Sequence, residues 1–382
     1  MFLNDTHRPQ CLSAAQYHEA DCFELERRLI LEPAWHCVGV TTDIPGEGDF
    51  ITISLLDRPL IIRRSGGVIR AHLNVCAHRF CTLSDARRGK VEKLKCPYHG
   101  WEYDDDGQTR RIPDSASFRP LKKGQLGLKS FPIEVRGSLI FVSLRDTPAS
   151  IEQQLDGHHE RIGAWFSDAW QPMMRYDDEL DCNWKTYLEN GLESYHIEEV
   201  HARTLVRIPD ETACHHEFGK RSTHFCATEE AASPVARWLD HRFHRLLGLP
   251  RQPYQHIHVY PTLTFIRLAM FSYLESLLPI SATKTQVVTR GFVYRDQNRP
   301  LSHPLSKLAG CFGNRLLKKI QDEDFEILRL NQAGIAAPRR PRGGLISARE
   351  ERIFHFQNYI NQQCESSSPD SQPSLPPDSP AS

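Results

Sequence analysis

The sequence has no apolar run of the roughly 18 residues that a membrane span requires, which argues against a transmembrane protein. It also has almost no net charge: 47 Lys and Arg stand against 48 Asp and Glu. No global basic field is therefore available to recruit nucleic acid or an anionic membrane. The first residues, MFLNDTHRPQ, lack the charged-then-apolar order of a secretory signal, so a soluble, cytoplasmic protein is expected. No G-x-G-x-x-G run occurs, so no flavin or nicotinamide fingerprint is readable. Internal repeats are missing too.

What is present is ordinary globular composition. The chain has 382 residues, 40% hydrophobic and 25% charged, enough for two or three domains with real cores. Cysteine is plentiful, with 11 residues. In a reducing compartment an odd count of this kind points to packed thiols or metal ligands before disulfides.

The texture changes along the chain. Residues 14–34 suit a helix stopped by Pro33. From 36 to about 145, short β-prone runs (FITISLL, PLIIRR, VIRAHLNV, LIFVSL) alternate with turn chemistry (PGEGD, SGG, DDDG, EVRG). Residues 150–205 read as helical, strands return over 255–297, and 314–333 carries apolar residues at helical spacing. The predicted plan is α+β: an N-terminal helical segment over 1–35, a β domain over 36–148, an α+β domain over 149–362 and a tail over 363–382. That tail is rich in Pro and Ser and is expected to be disordered and dispensable, because it cannot repay its ordering entropy.

Two short loops inside the β domain carry metal-ligand types. Cys76-x-His78 and Cys96-x-x-His99 are separated by residues 79–95. Two thiolates and two imidazoles can hold a tetrahedral zinc, or a [2Fe–2S] cluster with histidines on one iron. The flanking residues of CPYHGW favour the cluster: Pro97 and Gly100 allow the close backbone approach that cluster sulfur needs. The pattern resembles the Rieske domain. Respiratory Rieske proteins carry a paired extra cysteine, one in each loop. Here Cys81 faces Tyr98 at the partner position, so Cys81 is expected to be a packed small residue.

His196 and His201 in ESYHIEEVH are five apart, which leaves them off one face of a continuous helix. It is not the zinc-protease H-E-x-x-H spacing. The longer stretch NWKTYLENGLESYHIEEVHARTL, with Asn183-Trp184-Lys185, Glu189-Asn190, Glu193 and Tyr195-His196, resembles the iron-binding segment of Rieske non-heme iron oxygenases. These are the terminal components also called ring-hydroxylating oxygenase α subunits. The resemblance covers about residues 15–340. It implies a helix-grip-like catalytic domain, with an antiparallel sheet and flanking helices, behind the Rieske domain. It also implies a bend between the two histidines and a late carboxylate completing a two-His, one-carboxylate iron site. DEDFEILRLNQAG supplies that carboxylate as Asp324, with Gln332 eight further on. Asp322, Glu323 and Glu326 are its acidic neighbours, and a charge run of this kind is ordinarily a solvated helix face.

The resemblance further implies that electrons arrive from a separate NAD(P)H-dependent reductase, directly or through a ferredoxin. The cluster at Cys76, His78, Cys96 and His99 receives them. Glu193, with Asn190 nearby, links the cluster of one subunit to the iron of the next in a head-to-tail homotrimer. The iron then uses O2 to hydroxylate an aromatic or other small organic substrate. Most members have Asp at the bridge. Glu193 puts an aromatic hydrocarbon in doubt and raises oxidative demethylation of a carnitine- or betaine-like quaternary amine. A Rieske electron carrier without catalysis and a zinc-binding module are the rival classes.

Overall fold

Tight reversals organise the β domain. In the computed structural model, Leu56 and Asp57 take φ of 47° and 64° between strands Asp49–Leu55 and Arg58–Ser65. Gly66 and Gly67, at 59° and 74°, join the latter to Val68–Leu73. Positive φ at both central residues matches the twist of the flanking strands. Ser130–Phe131 and Arg88–Lys90 close the two edges of this five-stranded antiparallel sheet. A three-stranded sheet of Trp35–Val40, Leu139–Ser143 and Ile133–Arg136 shares its core: Val38, Ile140 and Val142 pack in one cluster with Ile51, Leu60 and Ile62. A third sheet, Leu94–Lys95, Glu102–Tyr103 and Thr109–Arg111, flanks the second cysteine–histidine loop.

The structure describes residues 6–122, 124–205, 214–227, 252–296, 298–299 and 302–365, with 242, 245 and 248 between. The Pro/Ser-rich tail beyond 365 lies outside the described residues. Residues 363–365, assigned to the tail by composition, belong to helix Glu351–Glu365. Among the described residues no helix is long and apolar enough to cross a membrane.

The second domain is built on a seven-stranded antiparallel sheet. Its order is Trp170–Leu180, Lys284–Tyr294, Phe271–Ser281, Leu263–Leu268, Tyr254–Val259, Ser222–Ala227 and Cys214–Phe218. The first of these corrects the helical reading of 150–205. Trp170–Leu180 is an edge strand, largely half-exposed, with Pro172 at a register shift. Edge strands tolerate proline and need no clean apolar alternation, so its period is not readable. Helix Ser302–Ala336 packs on this edge and starts before the expected 314. Pro304 falls in its first turn, where a missing N–H costs nothing.

The N-terminal segment is less regular than one helix. A 3-10 turn Ala14–Tyr17, a helix Ala20–Glu26 and a π turn Arg27–Leu31 follow one another. They are clamped to helix Trp184–Gly191 by buried polar groups. Lys185 Nζ lies 2.7 Å from Glu26 Oε2 and 2.7 Å from the Gln16 carbonyl, and Trp184 Nε1 donates to Glu26 at 3.1 Å. Lys185 is 0% exposed. Burial pushes Lys185 down and Glu26 up, and each partner pulls the other back. Glu26→Ala leaves that ammonium unpaired and is expected to cost about 3–5 kcal/mol. Urea unfolding measures it, and Glu26→Leu with Lys185→Met should recover most of the loss.

Candidate functional site

The two cysteine–histidine loops are near copies. Cys76 N–H donates to the Cys81 carbonyl, and Cys96 N–H to the Trp101 carbonyl, each at 2.8 Å. Phe80 N–H returns to the Cys76 carbonyl, and Gly100 N–H to that of Cys96, each at 3.1 Å. Each loop turns through positive φ at the same place, 60° at Phe80 and 71° at Gly100. Gly100 takes this at no steric cost, whereas Phe80 carries some strain. The loops bring His78 and His99 to a ring separation of 4.7 Å, above buried Cys76 and Cys96. Trp101 stacks on His78 at 4.9 Å and fixes the ring.

These residues fit a cluster. His78 Nδ1 is buried without a hydrogen-bond partner among the described residues. Burial raises the Cys96 thiol, but backbone N–H groups of Tyr98 and His99 outweigh it and hold the thiol below its ordinary range. Cys81 is unpaired and half-buried against the core beneath the loops. Tyr103 was not singled out in the sequence. Its oxygen accepts from Ala77 N–H at 2.9 Å, which leaves its O–H for Cys76 Sγ at 3.0 Å.

The second centre is carried by a helix that stops. Asn183 caps helix Trp184–Gly191, its Oδ1 accepting from Lys185 N–H at 2.9 Å. A separate single turn, Ile197–Val200, follows, with His196 before it and His201 after it. This break brings the five-spaced imidazoles together at a ring distance of 5.4 Å. Asn183 also ties the segment to the long helix, its N–H donating to Gln332 Oε1 at 2.9 Å. Thus Asn183 and Gln332 join the two carrying helices, while Trp184 and Lys185 fasten the first of them to the N-terminal segment.

Asp324 Oδ1 lies 3.1 Å from His201 Nε2 and 3.6 Å from His196 Nε2. One ligand atom from each of the three residues lies within 4.8 Å of the others, so the set could hold one metal ion. Each imidazole is gripped from behind. Glu193 Oε1 takes His196 Nδ1, and Glu323 Oε2 takes His201 Nδ1 at 2.8 Å. Such carboxylate–imidazole pairs turn Nε2 toward a metal. Burial lowers His201, but the Asp324 and Glu323 carboxylates outweigh it and hold it above its ordinary value. Asn190 Nδ2 donates to Asp324 Oδ1 at 3.0 Å. Glu323 stood in the sequence only as a neighbour of Asp324. The adjacent acids point to different partners, which composition does not reveal.

The Rieske [2Fe-2S] domain family matches residues 34–132, and the family described as ring hydroxylating alpha subunit (catalytic domain) matches residues 167–366. The chain belongs to the ring-hydroxylating alpha subunit family. Its cofactors are accordingly a Rieske [2Fe–2S] cluster and a mononuclear iron. The chain is 34% identical over 190 residues to a glycine betaine monooxygenase oxygenase subunit of Chromohalobacter salexigens, a match spanning 50% of this chain and 42% of the relative. The Pseudomonas aeruginosa subunit of the same name is 25% identical over 385 residues, covering 91% and 87%. A 2-aminobenzenesulfonate 2,3-dioxygenase subunit alpha of Alcaligenes sp is 26% identical over 305 residues, 74% of each chain. A solved quaternary ammonium Rieske monooxygenase in complex with L-carnitine superimposes with a TM-score of 0.76 at 20% identity, covering 94% of this chain and 95% of that one.

In this ring-hydroxylating alpha subunit, the Tyr103 hydroxyl would tune a cluster held at Cys76. A donor on a ligand sulfur favours the reduced state. Tyr103→Phe should lower the reduction potential by roughly 40 mV, about 1 kcal/mol for one electron. Protein-film voltammetry reads the shift.

Proposed function

We propose that this chain is the terminal oxygenase of a reductase-fed system and that it monooxygenates a small quaternary ammonium acid, releasing an N-methyl group. The observation that carries this is a second, half-buried carboxylate beside the iron site. A cavity of about 300 Å³ opens on His196, His201 and Asp324, and Glu275 lines it. Burial and the nearby Asp324 charge push Glu275 up to about 7, with a Tyr187 hydrogen bond opposing them. A hydrocarbon substrate does nothing for that carboxylate. A cationic head ionises it, and the rings of Tyr187 and Tyr273, which also line the cavity, suit an alkylammonium.

The iron supplies O2 activation and the cluster supplies electrons one at a time. The protein's own part is positional. Cys76, His78, Cys96 and His99 hold the cluster, and His196, His201 and Asp324 hold the iron. Glu193 and Glu323 fix the two imidazoles, and Asn190 fixes Asp324. Apolar walls that include Ile266, Leu268 and Ile320 exclude water from the reacting methyl group. One oxygen atom enters the C–H bond and leaves as formaldehyde with the methyl carbon. The other becomes water, using two electrons from the reductase and two protons from solvent.

Electron delivery is proposed to cross between subunits of a cytoplasmic homotrimer, with a ferredoxin where the reductase does not reach the cluster directly. No residue of the cluster loops lines the iron cavity. The loop tips instead present Phe80 and Tyr98, 80% and 59% exposed, and Tyr195 beside the iron site is 58% exposed. Each centre thus offers an uncovered aromatic surface that a neighbouring copy would bury.

Ring dioxygenation is the second reading, favoured by those same apolar walls and by the aminobenzenesulfonate relative. The test is O2 uptake with a surrogate reductase and a panel of glycine betaine, carnitine and 2-aminobenzenesulfonate. The reading expects substrate-dependent uptake with stoichiometric formaldehyde. A diol without formaldehyde selects the second reading, and no coupled uptake with any quaternary ammonium acid rejects the first.

A further inference from the structure

The cavity wall also carries a cation with no direct ion pair among the described residues. Arg352 sits in the first turn of helix Glu351–Glu365, lines the cavity and is 3% exposed. Its Nε and Nη1 have no hydrogen-bond partner among the described residues. Its guanidinium lies 4.8 Å from the centre of the Phe225 ring. No ion pair joins it to a carboxylate among those residues. Buried arginines are otherwise found paired, because desolvating the charge is expensive.

Two imidazoles share this part of the wall. His256 and His258 alternate on strand Tyr254–Val259, so both face the cavity, with rings 4.2 Å apart. Neither nitrogen of His258 has a partner, nor does His256 Nε2, among the described residues. Burial and then like charge, Arg352 included, lower His256 to about 3 and His258 well below its ordinary value, so both are neutral, each keeping one N–H. Gly191 ends its helix against them: a Cβ there would come within 2.9 Å of His258 Nε2. Space is thus kept open beside unused donors. Buried water could satisfy the donors, but it could not neutralise the guanidinium.

We infer that Arg352, with His256 and His258, seats the carboxylate or sulfonate of the substrate, while Glu275 and Asp324 face its nitrogen. The inference rests on the cavity being the substrate site and deepens the reading above. Glu275 is raised by Asp324, whereas Arg352 acts on the two imidazoles; the Glu193 carboxylate, also on the wall, is felt at Arg352 without forming an ion pair with it. The cavity therefore selects for a molecule with an acid group at a distance from its reacting carbon. Arg352 acts in binding and orientation, without touching the reacting atoms.

The test is binding to the oxidised holoenzyme, without reductant, by calorimetry and thermal shift. The probes are glycine betaine against tetramethylammonium, and 2-aminobenzenesulfonate against aniline. At least one acid-bearing probe should bind well ahead of its acid-free partner. Arg352→Met should weaken that probe by about 100-fold or more and change the acid-free partner less than about twofold. Arg352→Lys keeps the charge but loses the fork, and about tenfold weakening is expected. Ligand-free Arg352→Met should also melt no lower than the parent, because an unpaired buried charge has gone. Equal binding of acid-bearing and acid-free probes overturns the inference. So does a Met or Lys variant that binds the acid as the parent does, or a Met variant that melts lower at unchanged affinity. Because no turnover is measured, failure of the oxygenase reading shows up separately, as missing O2 uptake.

Discussion

Glu193→Gln is expected to slow turnover by at least about 100-fold while both metal centres stay loaded. Both oxygens of Glu193 act as acceptors in the structure. Oε1 takes His196 Nδ1, and Oε2 takes the backbone N–H groups of Tyr195 and His196, the latter at 3.1 Å. A carboxylate is acceptor-only, with further lone pairs for a second imidazole. A glutamine amide has one oxygen. Whichever way it turns, an NH2 meets either the imidazole N–H or the loop amides. The loss falls on the link to His196 and on the charge that favours imidazole donors. The three proposed iron ligands are untouched, so iron should remain. Single-turnover oxidation of a pre-reduced cluster, with metal content measured in parallel, separates the outcomes. Parent-like cluster oxidation would remove Glu193 from the electron path. Loss of iron beyond the roughly 10–100-fold weakening that an imidazole's outer partner accounts for would make Glu193 a ligand and reopen the assignment of Asp324.

Asp324→Ala should abolish activity outright by emptying the iron site. The aspartate supplies the sole negative charge of the proposed triad and is the point on which His196, His201 and Asn190 converge. Its removal leaves two imidazoles that are too few to retain ferrous iron. Metal analysis should then return the cluster's iron alone, with the cluster's visible spectrum unchanged. Glu323→Gln is the graded control. It loosens His201 from behind without removing a ligand, and roughly a 10–100-fold loss in iron affinity is expected. An Asp324→Ala protein that keeps its mononuclear iron would mean that another acid of the 322–326 run is the ligand.

The parts of the site legible in the sequence are those fixed by short-range spacing. Cys76, His78, Cys96 and His99 lie within two turns of chain, and the loop geometry follows from the glycine, proline and cysteine positions around them. His196 and His201 were readable as a pair, yet only the helix break at Leu192 and the single turn Ile197–Val200 explain their spacing. Tyr103 and Glu323 were not legible. Their roles depend on which atom meets Cys76 Sγ or His201 Nδ1, and that is decided by packing between strands, loops and helices within each domain. The H-I-H alternation at 256–258 could have been read as two imidazoles on one strand face, but nothing local says that Arg352 faces them. In the fold, hairpins with marked turns were readable, whereas Trp170–Leu180 was not. An edge strand that is half-exposed on both faces carries no period, and its pairing is set by the distant strand Lys284–Tyr294.

Electron paramagnetic resonance of the dithionite-reduced protein under nitric oxide tests most directly whether the chain holds two iron centres of different kinds. The expected spectrum has a histidine-ligated [2Fe–2S] signal and a high-spin ferrous–nitrosyl signal, one of each per chain. The second should vanish in Asp324→Ala and the first should persist. Zinc in place of iron at either set of ligands, an all-cysteine cluster signal, or a nitrosyl signal unaffected by Asp324→Ala would contradict the account.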